Sequence, residues 1–286
     1  MTAIAAAYAE CEARARSHYE NFPIGSWLLP RRLRRDLAAV YAFARLGDDV
    51  ADEGDAPPAV RLAELDRIEA HLLAAAADPS SASDPVFLAL GHTIAGHALP
   101  LEPFRDLLTA FRRDAAGDTQ GFATFDDVLA YCRCSANPVG RIVLGLFGHR
   151  DAERVARADD ICTALQLTNF WQDVRSDLAR RGRVYIPGAD LDRFPGSREA
   201  LATGRTTGSL RDCLVFQVER TRALFTRGLG LVDLVSGRLR REVRLFAHGG
   251  LAILDRIEAE DYDVLARRPT LGRGDLARLV WKEIWR

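Results

Sequence analysis

Apolar residues recur every three to four positions over most of this sequence, and the β-branched runs that strands require are scarce. With alanine, leucine and arginine dominant, that spacing predicts an all-α fold. Helices are expected over about 3–20, 31–51, 58–77, 84–96, 101–115, 125–148, 151–178, 209–235, 239–259 and 273–284. Punctuation falls between them: "EGDAPP" closes the second, "ADPSSASDP" separates the next two, and "RRGRVYIPGADLDRFPG" ends the long one near residue 178. That last stretch is the longest irregular connection and is too short for a domain linker. A single helical domain over 1–286 is predicted, with this segment a candidate flap over an active site.

At 286 residues and 48% hydrophobic, the chain has enough material to bury a sizeable core. Its 39 Lys+Arg and 40 Asp+Glu nearly cancel, so the overall field offers no attraction for nucleic acid. The five cysteines, Cys11, Cys132, Cys134, Cys162 and Cys213, match neither a disulfide framework nor a zinc site and read as reduced, cytosolic thiols. The N-terminal "MTAIAAAYAECEARARSHYE" lacks the continuous apolar core of a signal peptide. No stretch supplies the roughly twenty apolar residues that a bilayer span needs. The expectation is a cytoplasmic protein, soluble or held only peripherally at the inner membrane surface.

Because the overall charge is balanced, the local acidic runs carry the argument. In "RLGDDVADEGD", residues 45–55, helical geometry puts Asp48 and Asp52 with Tyr41 and Arg45 inside an arc of about 60 degrees, and Asp49 lies beside that stripe. Glu53 and Asp55 fall further round or in the following turn. Alone, this cluster reads equally well as a solvated helix end. A second segment, "CTALQLTNFWQDVRSD", spaces Gln166, Asn169, Asp173 and Asp177 by three, four and four, and Cys162 extends the line. Leu165, Leu167, Phe170 and Trp171 make the helix apolar around it. A polar line in an apolar helix faces a cavity, an opposing charge or an ion, because buried unpaired carboxylates are costly; a strip facing water is the plainer alternative. Two carboxylate stripes without the His and Cys of a zinc site suit a hard cation such as Mg²⁺, which takes one or two carboxylates plus substrate phosphates. No Gly-rich phosphate loop is present, which argues against a nucleotide triphosphatase. What remains is a phosphate-bearing substrate held through metal between helices, in a cavity with apolar walls.

That combination resembles the squalene and phytoene synthase family of isoprenoid synthases. The acidic helix resembles the family's first aspartate-rich D-D-x-x-D motif, and "QLTNFWQDVRSDLARRGRVYIP" resembles its second signature over more than twenty residues. "HYENFPIGSWLLPRRLRRDLAAVYAFAR" resembles its opening, and "YDVLARRPTL" its C-terminal segment. The likeness covers most of the chain and implies a helical bundle around a central apolar cavity. In the middle helix "YCRCSANPVG", residues 131–140, departs from the usual Y-C-Y-x-V-A-G-x-V-G. Gln172 stands where many members have Arg, and Ser176 replaces an acidic residue. These departures resemble the hydroxysqualene synthase branch of the bacterial hopanoid pathway.

The resemblance implies Mg²⁺-dependent conversion of presqualene diphosphate to hydroxysqualene with release of diphosphate, without NADPH. Functional partners would be a presqualene diphosphate synthase upstream and a flavin-dependent, squalene-forming reductase downstream. It assigns Asp48, Asp52, Asp173 and Asp177 to the metal, with Asp49 and Asn169 in support. His18, Phe22, Arg45, Gln166, Asn169, Arg183 and Tyr185 would meet the substrate, and Tyr41, Arg45, Tyr131 and Asn137 are the candidate catalytic residues. Ordinary roles remain open for several: an Arg45–Asp49 salt bridge, a structural His18, core packing for Phe22, Tyr41 or Phe43, and a loop anchor formed by Arg183 and Tyr185. Pro138 should disrupt the helix around Asn137, opening space for a positioned water. Arg31, Arg32, Arg34 and Arg35 form either a solvated basic face or a contact with anionic lipid. Two rival functions stand beside this one. The first is head-to-head condensation of two farnesyl or geranylgeranyl diphosphates, and the second a non-catalytic relative acting as a binding or assembly factor.

Overall fold

The computed structural model describes residues 2–17, 31–52, 54–117, 121–272, 274, 275, 278, 279 and 281. These are helical throughout, apart from connections and one isolated bridge between Gly121 and Val184. Contacts gather into two compact units, Met1–Asp118 with Pro138–Ala152, and Thr119–Asn137 with Glu153–Arg286.

The first unit is built from α1 (Ala3–Ser17), α2 (Arg31–Asp52), α3 (Pro58–Ala77), α4 (Pro85–His97) and α5 (Glu102–Ala116). Local chemistry sets the ends. Asp84 accepts from the backbone N–H groups of Val86 and Phe87 to cap α4, whose first residue is Pro85, and α5 stops at Gly117 with φ +81°. At the centre Phe43 of α2 is fully buried and meets Phe87 of α4 and Phe104 of α5 edge-on, at ring-centroid distances of 6.4 and 5.7 Å. This makes Phe43 a core residue, the packing role the sequence left open.

A polar cluster ties three of these helices together. Asp36 is 2% exposed and lies 2.9 Å from His97 Nε2 and 3.5 Å from Arg35 Nε. The Arg35 guanidinium sits 4.7 Å above the Tyr8 ring, and the Tyr8 hydroxyl meets Thr93 Oγ1 at 2.9 Å. Of the expected basic face, Arg31, Arg32 and Arg35 are exposed, Arg35 also engaging Asp36 and Tyr8, and Arg34 is half-buried.

The second unit contains α6 (Phe125–Ser135), the start of α7 (Asn137–Leu146), α8 (Ala152–Gln172), α9 (Val174–Arg181), α10 (Gly188–Arg193), α11 (Ser197–Thr203), α12 (Gly208–Gly228), α13 (Leu231–Leu234) and α14 (Gly237–Ala259). Trp171 of α8 is fully buried and donates from Nε1 to Thr221 Oγ1 of α12 at 2.9 Å. At Gly250, α14 comes so close to its neighbours that a Cβ there would lie 2.4 Å from the Phe225 ring and 2.9 Å from Leu165 Cδ2.

Three expected helices prove to be interrupted. Residues 125–148 divide at Ala136, because Pro138 has no N–H to give the carbonyl of Cys134. Residues 151–178 divide at Asp173, whose φ and ψ of −102° and 9° leave the helical range, and the following helix runs on to Arg181. The helix expected over 209–235 ends at Gly228 and resumes as α13. The segment after residue 181, read as irregular, carries the two short helices α10 and α11 and is pinned to residues 122 and 123 by Gly188 N–H to Phe122 O (2.8 Å) and Ala189 N–H to Ala123 O (2.9 Å). Residues 18–20 of the first expected helix lie outside the described residues, as do seven positions of the last one; 274, 275, 278, 279 and 281 are helical.

His97→Ala should leave the Asp36 carboxylate buried without its 2.9 Å partner, lowering the free energy of unfolding by roughly 3 kcal/mol. Urea denaturation followed by circular dichroism measures this.

Candidate active site

The first stripe lies on the last two turns of α2. Gly47 lets the Phe111 ring of α5 pack against α2 immediately before the aspartates: a Cβ there would lie 2.4 Å from that ring. Beyond Asp52, Arg61 holds the turn by donating to the backbone carbonyls of Ala51, Gly54 and Ala56. The aspartates therefore occupy a helix end fixed on both sides. Arg45 reaches Asp49 Oδ1 from Nε at 2.6 Å and Asp48 Oδ2 from Nη1 at 3.2 Å. The salt bridge left open by the sequence is present, and it also engages Asp48. Tyr41 belongs to the same group. Burial raises its pKa, Arg45 opposes the rise, and Asp48 and Asp49 add to it. The Asp48 and Asp49 side chains keep 47% and 37% of their surface exposed, so carboxylate oxygens stay available to a ligand.

The second stripe survives the break between α8 and α9. Asp173 N–H still reaches Asn169 O, and Asp177 N–H reaches Asp173 O, both at 2.9 Å, so the i to i+4 relation that aligns Asn169, Asp173 and Asp177 is kept. Asn169 is exposed, while Gln166, Asp173 and Asp177 are partly exposed. Arg268 forms a two-pronged ion pair with Asp173, with Nη2 3.0 Å from Oδ2 and Nε on Oδ1. The same C-terminal segment receives the Gln172 amide at Pro269 O (2.5 Å) and the Arg175 guanidinium at Ala266 O. Gln172 and Ser176 thus have local structural duties: Ser176 Oγ donates to the Asp173 carbonyl at 2.9 Å. Neither was readable from the second stripe alone, because the partners of Gln172 and Asp173 lie more than ninety positions away in sequence.

Behind this stripe is an aromatic cluster. The Phe170 and Tyr185 rings stack in parallel with centroids 3.7 Å apart, and Tyr131 and Phe122 lie beside them at 5.8 to 6.3 Å. Tyr131, Tyr185 and Arg183 are all buried. Tyr185 anchors its segment to α8, the ordinary role the sequence left open. Gly182, with φ +61°, ends α9, and the Arg183 N–H closes that turn on Asp177 O at 3.2 Å. Asn137 is 3% exposed and accepts from Thr163 Oγ1 of α8 at 2.9 Å, and Ser135 Oγ nearby is buried with no hydrogen-bond partner among the described residues. His18 and Phe22 lie outside the described residues.

The squalene/phytoene synthase pattern matches residues 15–275. The chain belongs to the squalene/phytoene synthase family. Among its relatives, the phytoene synthase of Mycobacterium tuberculosis is 34% identical over 271 residues, covering 90% of this chain and 87% of that one. The hydroxysqualene synthase of Sinorhizobium fredii is 34% identical over 243 residues, covering 85% and 80%. The crystal structure of squalene synthase HpnC from Alicyclobacillus acidocaldarius superposes with a TM-score of 0.85 at 43% identity, covering 91% of this chain and 95% of that one. As in other isoprenoid synthases of this family, the fold is all-α. No helix among the described residues is long and apolar enough to cross a membrane.

One residue of this family member was passed over in the sequence. Glu242 of α14 sits among arginines in "GRLRREVRLF" and reads as surface charge, yet it is 5% exposed. Its place between Leu239 and Leu245 on the buried face was the available signal. Burial pushes its carboxyl from an ordinary 4.5 up to about 8. The folded state therefore holds a proton that the unfolded state releases above 4.5. Stability is greatest at the acidic end of this window and falls as pH rises through about 8. Urea midpoints measured between about pH 5 and pH 8 should decline in the wild type and decline less in Glu242→Gln.

Proposed function

We propose that this family member ionises presqualene diphosphate with Mg²⁺ and captures the resulting cation with water to form hydroxysqualene. The observation that carries the reading is the α6–α7 break, where a buried asparagine is fixed by a threonine of α8 beside an unsatisfied serine hydroxyl. A wall that served only to let a cation rearrange and lose a proton has no use for polar groups there. A wall that must admit one water does. The 34% identity to the hydroxysqualene synthase of Sinorhizobium fredii supports the same choice, and the equal identity to a phytoene synthase supports the condensing alternative.

The carboxylates fit a hard divalent cation. They are oxygen donors, partly exposed, and each stripe already attracts a guanidinium. Asp48 and Asp52 on the first stripe, supported by Asp49, and Asp173 and Asp177 on the second, supported by Asn169, would each bind Mg²⁺. Among the described residues no three His, Cys, Asp or Glu side chains form a metal-binding group by themselves, so diphosphate oxygens would complete the coordination. Bound Mg²⁺ neutralises the diphosphate and makes it a better leaving group. Arg45 contributes a second positive charge at the same helix end and orients Asp48 and Asp49. Tyr41 lines the stripe one turn earlier. The exposed Asn169 amide and the partly exposed Gln166 side chain would donate to phosphate oxygens. The buried Tyr131 ring lies among the aromatic faces that exclude bulk water.

Purified protein incubated with Mg²⁺ and presqualene diphosphate, without NADPH, should yield hydroxysqualene by mass spectrometry. A C30 product from farnesyl diphosphate alone would favour the condensing alternative. Asp48→Asn and Asp173→Asn should remain folded by circular dichroism while turnover falls roughly 100-fold or more. Full activity in both would remove the carboxylate stripes from the mechanism.

A further inference from the structure

Arg268 belongs to none of the sets assigned above, yet it closes on a carboxylate of the second stripe. Its Nη2 lies 3.0 Å from Asp173 Oδ2 and 3.4 Å from Gln172 Oε1, and its Nε donates to Asp173 Oδ1. Ser176 Oγ also reaches Asp173 Oδ1, at 3.3 Å, so both carboxylate oxygens already accept from donors. The neighbouring aspartate feels the same cation. Hydrogen bonding to Asp173 raises the Arg268 pKa, burial opposes the rise, and the charges of Asp173 and Asp177 add to it.

Tethering the C-terminal segment does not require this contact. The backbone on either side of Arg268 is held separately, with Gln172 donating to Pro269 O and Arg175 to Ala266 O, and Val264, Leu265 and Pro269 are buried. The Arg268 side chain itself is 54% exposed, against 22% for Asp173. An exposed side chain changes rotamer freely, so the guanidinium can release Asp173 while residues 266–269 stay in place. The anchor and the charge are thus separable parts of one segment.

A divalent cation approaching Asp173 meets this guanidinium in two ways. It competes for the same carboxylate lone pairs, and the two positive charges repel at close range. A diphosphate reverses that balance, because its negative charge offsets both cations and its oxygens offer the guanidinium new acceptors. Building on the reading that the second stripe takes Mg²⁺, we propose that Arg268 is a built-in counter-ion that competes with the metal for Asp173. It keeps the affinity of this stripe for free Mg²⁺ low and yields the carboxylate when metal and diphosphate arrive together. The second stripe then fills with the substrate and not before it.

The test measures Mn²⁺ binding by electron paramagnetic resonance, with and without inorganic pyrophosphate, and checks folding by circular dichroism. The proteins are wild type, Asp173→Asn, Arg268→Gln and Arg175→Gln, the difference between wild type and D173N isolating the second stripe. R268Q should bind Mn²⁺ alone about tenfold more tightly at that stripe and gain less from pyrophosphate than wild type does. R175Q, which loosens the same segment at Ala266 without touching Asp173, should behave as wild type. Unchanged affinity for Mn²⁺ alone in folded R268Q overturns the proposal and leaves the metal reading standing, as does an equal shift in R175Q. Should D173N bind Mn²⁺ as wild type does under both conditions, the second stripe holds no metal and both fall. Should R268Q not fold, Arg268→Lys decides, since it keeps the charge but loses the two-pronged grip: about threefold tighter Mn²⁺ binding supports the proposal, and unchanged binding overturns it.

Discussion

Carboxylates carried by helices that pack through apolar faces must be balanced locally, and this structure does so mainly with arginine. Arg45 spans Asp48 and Asp49 on one helix, Arg268 grips Asp173 with two nitrogens, and Arg220 reaches Asp190 at 2.6 Å while lying 3.5 Å above the Phe125 ring. A guanidinium is suited to this because it binds a carboxylate through parallel donors and stacks on aromatic carbon with its face. Helix ends, connections and the candidate active site all follow from where these pairs form. Glu242 is the contrasting case, a buried carboxyl that no charge balances.

What could be read in advance was what depends on short sequence separations. The two acidic stripes, the Arg45 pair and the disruption at Pro138 are all matters of three or four residues along a helix, and the structure reproduces them. The break at Asp173 was not legible, because the contacts that accompany it, the Arg268 ion pair and the Gln172 bond to Pro269, join residues almost a hundred positions apart. The short helices α10 and α11 were hidden for a different reason. The glycines and prolines of that segment read as irregular chain, whereas backbone bonds to residues 122 and 123 and the Tyr185 stack organise it from outside. Glu242 escaped because a periodic pattern records polarity and not depth, and four arginines within four positions of it imply a solvated surface.

The two departures at the second signature gain meaning from this. Gln172 uses its amide to hold the C-terminal segment, and Ser176 donates back to the Asp173 carbonyl alongside the Asp177 N–H. Both stabilise an interrupted helix and add no charge, leaving the negative potential along that face to the aspartates.

The stacked pair Phe170 and Tyr185 joins the helix bearing Asn169 to a segment that is itself tied to residues 122 and 123. Two rings in parallel contact can slide across one another far more readily than they can separate, since sliding keeps most of their dispersion contact and separation loses it. The segment after α9 is therefore guided in one plane and restrained along the perpendicular. Any adjustment it makes around a bound diphosphate would be a lateral shear over the Phe170 ring, with Gly182 supplying the free torsion, and not the lifting of a hinged lid.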